Sequence, residues 1–202
     1  MTIQITVKTV WPSILGMVFL SVLLTNLTVS SVCAEELEQG DTVGFVINDV
    51  SSKLVNNVYQ LSASVEYNFS DNVLSAIQNG VPIIIVLDIE ILQAREYLWG
   101  KLVAELKQRF KLQFHAISEQ YIVENLNSGY QETFPTLHSA LYILRQIKKL
   151  PIIDKKLIQQ GKRYSGQARV RIELESLPVP LRMNAYITRS WWLGSDWFEW
   201  EL

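Results

Sequence analysis

The sequence predicts a mainly β protein, an antiparallel two-sheet sandwich of about nine strands with two short helical insertions. Across residues 59–69 apolar side chains hold every odd position and polar ones every even position, the period of a half-buried strand. The same period returns over residues 101–116, where seven of eight even positions are apolar or small and seven of eight odd positions are polar. The apolar segments follow one another through short turns, which favours antiparallel sheets over a doubly wound parallel fold.

Residues 43–50 read as the first strand, and the polar cluster Ser51, Ser52, Lys53, Asn56 and Asn57 turns the chain into residues 59–69. Ser70 caps a helix whose Val73, Leu74 and Ile77 share one face, and Asn79-Gly80 supplies a left-handed terminus. Pro82 opens a strand over residues 83–92, with Asp88 and Glu90 opposite the apolar face; a proline at a strand start costs no ladder hydrogen bond. In the strand 101–116 the outward row Lys101, Glu105, Lys107, Arg109, Lys111, Gln113 and His115 reads as a solvated face with edge-protecting lysines. A basic ligand groove is the alternative.

Segments 121–126 and 130–134 flank Asn127-Ser128-Gly129, a hairpin loop with glycine at the left-handed position. Pro135-Thr136 starts a second helix with Leu137, Ala140, Leu141, Leu144 and Ile147 on one face, Lys148-Lys149 in its last turn and Pro151 as its stop. A polar connector leads to a strand at 167–175. Pro178 and Pro180 separate it from a strand at 181–187, and a tryptophan-rich strand follows at 196–202.

The 202 residues are 49% hydrophobic and 19% charged, with six prolines and nine glycines, which excludes a disordered, collagen-like or coiled-coil chain. Eighteen basic against 20 acidic residues give net charge −2, so there is no strongly basic surface for nucleic acid. One cysteine excludes an intramolecular disulfide framework and any multi-cysteine metal site, two histidines leave little for a metal centre, and no cofactor is expected.

Residues 11–32 carry no charge, are most apolar over 14–24, and follow a single base, Lys8. This is the pattern of a signal peptide. The run dilutes into Thr25, Asn26, Thr28, Ser30 and Ser31 and ends in Val32-Cys33-Ala34 before Glu35-Glu36. Val at −3 and Ala at −1 suit a signal peptidase, so residues 1–34 read as signal peptide and 35–202 as a single β-rich domain exported to the periplasm. The alternative is an inner-membrane anchor formed by residues 11–32, since about 20 apolar residues span a bilayer. Ser30-Ser31-Val32 before Cys33 does not make a lipobox. Loss of Lys8 leaves 17 bases against 20 acids, net −3, and no cysteine, which fits an oxidising compartment.

There is no Gly-x-Ser-x-Gly elbow, and neither His115 nor His138 lies in a motif that would orient it as a base, so both read as surface or capping residues. No His-x-x-x-His pair or acidic calcium loop occurs. Asp88 and Glu90 share a strand face and could form a carboxylate pair for acid/base work; a cross-strand ladder with Arg169, Arg171 and Lys111 is the commoner explanation. Trp99, Trp191, Trp192, Trp197 and Trp200 remain after export. Trp197 or Trp200, with Phe198, reads as core at the sandwich edge. Adjacent strand residues face opposite ways, so one of Trp191 and Trp192 should be exposed, and the surface around Trp191, Arg182 and Arg189 is the expected partner site.

Leu74 and Ala76 with Asn79-Gly80-Val81-Pro82, then Asn125-Leu126-Asn127-Ser128-Gly129, then Phe134-Pro135-Thr136-Leu137 with Ala140-Leu141, form one set of motifs. Leu177-Pro178-Val179-Pro180-Leu181-Arg182, Ala185-Tyr186, Trp191-x-Leu193-x-Ser195-x-Trp197 and Trp200 form a second. Together they resemble the proteobacterial family called domain of unknown function 4390, over about residues 41–202. Gln93-Ala94-Arg95 stands where that family's pattern has an Arg-Pro-Arg cluster, and Gly100-Lys101 where it has an acidic pair. The resemblance implies a secreted or envelope protein and brings no assigned activity or catalytic residues. Through neighbouring genes it points to a membrane sensor kinase of the nitrogen-regulation type as a signalling partner.

The sequence therefore leads us to expect an exported, non-enzymatic binding or interaction module with an envelope protein partner. The alternatives are a carrier of an apolar ligand between the sheets and an enzyme acting on an envelope polymer through Asp88 or Glu90. N-terminal sequencing of the exported protein should find Glu35 as its first residue; a chain that still begins at Met1 and stays in the membrane would instead be a tethered domain.

Overall fold

The computed structural model describes residues 43–95 and 98–202; the expected signal segment, residues 1–34, lies outside them. The described residues form nine strands: β1 Gly44–Val55, β2 Val58–Asn68, β3 Ile83–Arg95, β4 Leu98–His115, β5 Gln120–Asn125, β6 Gln131–Phe134, β7 Gln146–Asp154, β8 Tyr164–Ile172 and β9 Phe198–Glu201. Three α-helices accompany them: α1 Asp71–Gln78, α2 Leu137–Arg145 and α3 Val179–Ile187. Strands β1-β2-β7 make a three-stranded sheet and β6-β5-β4-β3-β8-β9 a six-stranded one, antiparallel throughout. Their inner rows, Leu61, Val65 and Tyr67 on β2, Ile85, Leu87, Ile89 and Ile91 on β3, and Ala168 and Val170 on β8, share one hydrophobic core. Among the described residues no helix is long and apolar enough to cross a membrane.

Local sequence explains most elements. Asn56 and Asn57 have φ of 49° and 66°, so both occupy the left-handed region that asparagine tolerates. They close a two-residue turn between the paired Val55 and Val58, and such turns match the twist of the flanking strands. Ser51, Ser52 and Lys53 belong to β1 and not to the turn, because they pair with Ser62, Leu61 and Gln60. Ser70 caps α1 by accepting from the Val73 amide, and Gly80 follows the helix with φ 79°. Thr136 and Ser139 form a reciprocal capping box at the start of α2.

Strand β4 is continuous from Leu98 to His115, so the alternation of its sequence is that of a strand. It lies between β3 and β5, but β5 pairs only with residues 110–115. Lys101 and Lys107 therefore stand on the length of β4 that β5 leaves unpaired, where a lysine does guard an edge, while Lys111 faces Glu124 inside the sheet. Aromatics of the first two strands pack on one another. Tyr67 packs edge-on to Phe45, with ring centroids 5.1 Å apart, and its hydroxyl donates to the Leu144 carbonyl at 3.2 Å. Burial pushes that hydroxyl above the usual tyrosine range.

Two segments depart from the sequence reading. Residues 146–154, expected as the last turn of a helix and a connector, form strand β7, and α2 stops at Arg145. The apolar spacing Leu144 to Ile147 continues the helical face, so the local signal is ambiguous; β-branched Ile147, Ile152 and Ile153 favour extended chain once the free edge of β2 is available for pairing. Pro151 is tolerated because β7 is an edge strand, and the register shifts between Leu61 and Ala63. Residues 181–187, expected as a strand, belong to α3. Pro178 is its N-cap and Pro180 lies in its first turn, where no intrahelical amide is required and the fixed φ is already helical. The amides of Leu181 and Arg182 both donate to the Pro178 carbonyl at 3.0 Å. Among the described residues there are thus three α-helices instead of two, while β7 replaces the strand expected at 181–187.

The tryptophan-rich end does form a strand, β9. Its Trp200 pairs directly with Gly166 on β8. A Cβ placed on Gly166 would lie 2.2 to 2.7 Å from three atoms of the Trp200 ring, so the indole covers the glycine as a lid. Gly166→Val should therefore displace the ring and lower stability by about 1–3 kcal/mol, read as a shifted urea midpoint and altered tryptophan fluorescence.

Candidate binding surface

Even-numbered residues of β3 turn away from the core, which sets Asp88 opposite Lys107 on β4 and Arg169 on β8. The Asp88 side chain is only 5% exposed. Its Oδ2 accepts from Arg171 Nε at 2.9 Å and from Arg169 Nη2 at 3.3 Å, while its Oδ1 is buried with no hydrogen-bond partner among the described residues. The Arg169 guanidinium lies 4.5 Å over the Trp197 ring, a cation–π contact. Glu90 accepts from Gln167 Nε2 at 2.6 Å.

The neighbouring charges are paired in the same way. Lys107 meets Glu105 at 2.9 Å, and that hydrogen bond and charge raise the lysine pKa. Arg109 pairs with Glu173, and Lys111 with Glu124. The face is therefore an ion-pair ladder, with Arg169 and Arg171 in the expected roles and Lys111 drawn to β5 instead. Asp88 and Glu90 each turn to a partner on β8 and not to one another. A carboxylate shared by two guanidiniums serves to neutralise them.

His115 is exposed and its Nδ1 lies 2.9 Å from Ser118 Oγ in the β4–β5 turn. His138 is exposed in the first turn of α2. Among the described residues no group of three His, Cys, Asp or Glu side chains is placed to hold a metal ion.

The three residues expected at a partner site take different positions. Trp191 is buried, at 4% exposure, and the exposed indole is Trp192, at 64%. The inversion arises because the pair is not extended: Arg189–Trp191 is a 3-10 turn. The turn is held by α1, whose Ser70 hydroxyl donates to the Ser190 carbonyl and whose Asn72 amide donates to Ser190 Oγ, both at 2.6 Å. Trp192 Nε1 donates to the Ala185 carbonyl at 3.1 Å, pinning the ring across the end of α3. Arg182 is a brace, donating through Nε and Nη2 to the Leu177 carbonyl at 3.1 and 2.9 Å. Arg189 is exposed.

Around Trp192 lies a surface that the sequence reading missed. Val179, Met183, Tyr186 and Ile187 are all exposed, Met183 at 71% and Ile187 at 85%, and their spacing of four, seven and eight places them on one face of α3. Ala185, on the opposite side, is buried. That spacing was the available signal once the segment is read as a helix. Beside it a groove of about 420 Å³ runs between Tyr186 and Trp192 on one wall and Arg169 and Arg171 on the other. The domain chain enters here too, since the Phe45 amide donates to the Gly194 carbonyl at 3.4 Å.

Asp88→Asn should cost roughly 2–3 kcal/mol in urea unfolding. This is less than for a fully buried pair, because the two guanidiniums retain 37% and 30% exposure.

No curated protein and no solved structure matches the chain. A family model does match, over residues 43–201, which covers both sheets, the ladder and the α3 surface. The chain thus belongs to the family described as a domain of unknown function, DUF4390.

Proposed function

We propose that the protein is an exported cell-envelope binding module, not an enzyme, that docks a protein partner on the face formed by α3 and Trp192. The observation that carries this reading is the continuous apolar stripe Val179, Met183, Tyr186, Ile187 and Trp192, all exposed although the core already has Ala185 and Trp191 from the same segment. Contiguous exposed apolar surface is costly in water and marks sites that a partner covers. Aromatic residues, methionine and arginine are the types enriched in such interfaces, and Arg189 stands beside the stripe. The double ion-pairing of Asp88 favours a binding role for this domain over acid/base chemistry at the ladder.

The signal-like segment and the lack of cysteine after residue 34 support export. A membrane sensor kinase with a periplasmic surface is the partner we favour.

The test is capture from an envelope extract by the tagged exported protein. Ile187→Glu and Trp192→Ala should each reduce recovery of the partner at least tenfold while the melting temperature stays nearly unchanged, as exposed substitutions do. Trp191→Ala should instead lose about 3–5 kcal/mol of stability, because it empties a core position. Partner recovery unchanged in both exposed variants would overturn the reading.

A further inference from the structure

The six-stranded sheet is wider than the three-stranded sheet that faces it, and α2 makes up part of the difference by packing against β2, β5, β6 and β7. The cover is incomplete. A cleft of about 240 Å³ remains between α2 with β7 and the inner side of β4, β5 and β6. Its apolar lining includes Leu87, Phe110, Val123, Phe134, Leu144 and Ile147. It shares no residue with the α3 surface.

One polar side chain interrupts this wall. On β4 the inner row runs Ala104, Leu106, Gln108, Phe110, Leu112, and Gln108 pairs across the sheet with buried Leu87. It is the polar exception on the even row of residues 101–116, it lines the cleft, and its amide has no hydrogen-bond partner among the described residues. Gln108 is half-buried and its amide stays open to the cleft, so a ligand there can pair with it. At the mouth, Glu132 and Lys148 are exposed and unpaired among the described residues, so the rim carries one charge of each sign.

We propose that this cleft binds a small molecule made of a short apolar chain and an uncharged amide or hydroxyl head. The size sets the chain. A cavity of about 150 Å³ takes a benzene ring and drug-sized ligands need about 300 Å³ or more, so 240 Å³ suits a single ring or a chain of about six to eight carbons. Gln108 sets the head, since a carboxamide offers both a donor and an acceptor and no charge. The opposed charges at the rim give a charged head no net gain. The ligand site is independent of the docking face, so either proposal can fail without the other.

Octanamide, octanoate and acetamide serve as probes in an NMR titration of the exported protein. Octanamide should produce saturable amide-shift changes centred on residues 108, 123 and 147, with octanoate at least tenfold weaker and acetamide without effect at the same concentration. Gln108→Leu keeps the volume and should weaken octanamide at least fivefold while removing its advantage over octanoate. Val123→Phe fills the cleft and should abolish binding; if that variant does not fold, Gln108→Leu decides. No saturable change with octanamide, equal binding of octanamide and octanoate by the unaltered protein, or unchanged binding in Gln108→Leu would overturn the proposal.

Discussion

At Val86 and Asp88 strand β3 is buried on its outer face as well as on its inner one, and much of the rest of the molecule answers to that. Its odd positions, Ile83 to Ile91, supply the core, as any half-buried strand would. Its even positions include Val86 at 1% exposure and Asp88 at 4%. A charge in that place must be compensated nearby or its desolvation is not recovered. Compensation comes from Arg169 and Arg171, two alternate residues of β8, which ties β8 to β3 through side chains as well as through the ladder.

Strand β8 then carries the constraint outward. Arg171 bridges to Gly194, Ser195 Oγ accepts from the Val170 amide, and Arg169 supports Trp197. The segment after α3 is therefore anchored from the sheet side, while α1 holds Ser190 from the other. Between these anchors the chain has room only for a tight turn, and the turn decides which indole enters the core. The exposed α3 face is thus a rigidly presented surface and not a loose tail, which lowers the ordering cost of any association there.

Where physical determinants were local, they could be read directly. The strict alternation in β2, the seven-of-eight alternation in β4, the Ser70 cap and the glycine in the β5–β6 loop all specify their elements within a few residues. Strand β7 could not be read in this way, because its apolar spacing fits a helix and only the distant edge of β2 selects the extended form. The segment 179–187 alternates weakly as a strand and also carries a helical stripe; the proline at its first turn was the deciding feature. At the binding surface, the region was legible from its aromatic density, but assigning Trp191 outward assumed an extended chain. Arg182 was legible as a conspicuous base and not as a brace, since its acceptor is a backbone carbonyl. Gln108 was visible as an exception to a pattern, yet what it faces depends on the width of two sheets.

The pairing of β2 with β7 has a kinetic side. Residues 69–145 lie between them, so the inner strand of the smaller sheet depends on chain that is made and delivered much later. In a chain made from its N-terminus, the β1–β2 hairpin forms first and waits with the β2 edge, later covered by β7, still unsatisfied. Such an edge is a template for wrong pairing, and closing a long loop slows the correct one. The polar row of β2, Gln60, Ser62, Ser64 and Glu66, keeps the other side of that waiting hairpin soluble. Delivery of β7 then acts as the committing event, converting β2 from an edge into the interior strand of its sheet and leaving as the new edge a strand interrupted by Pro151.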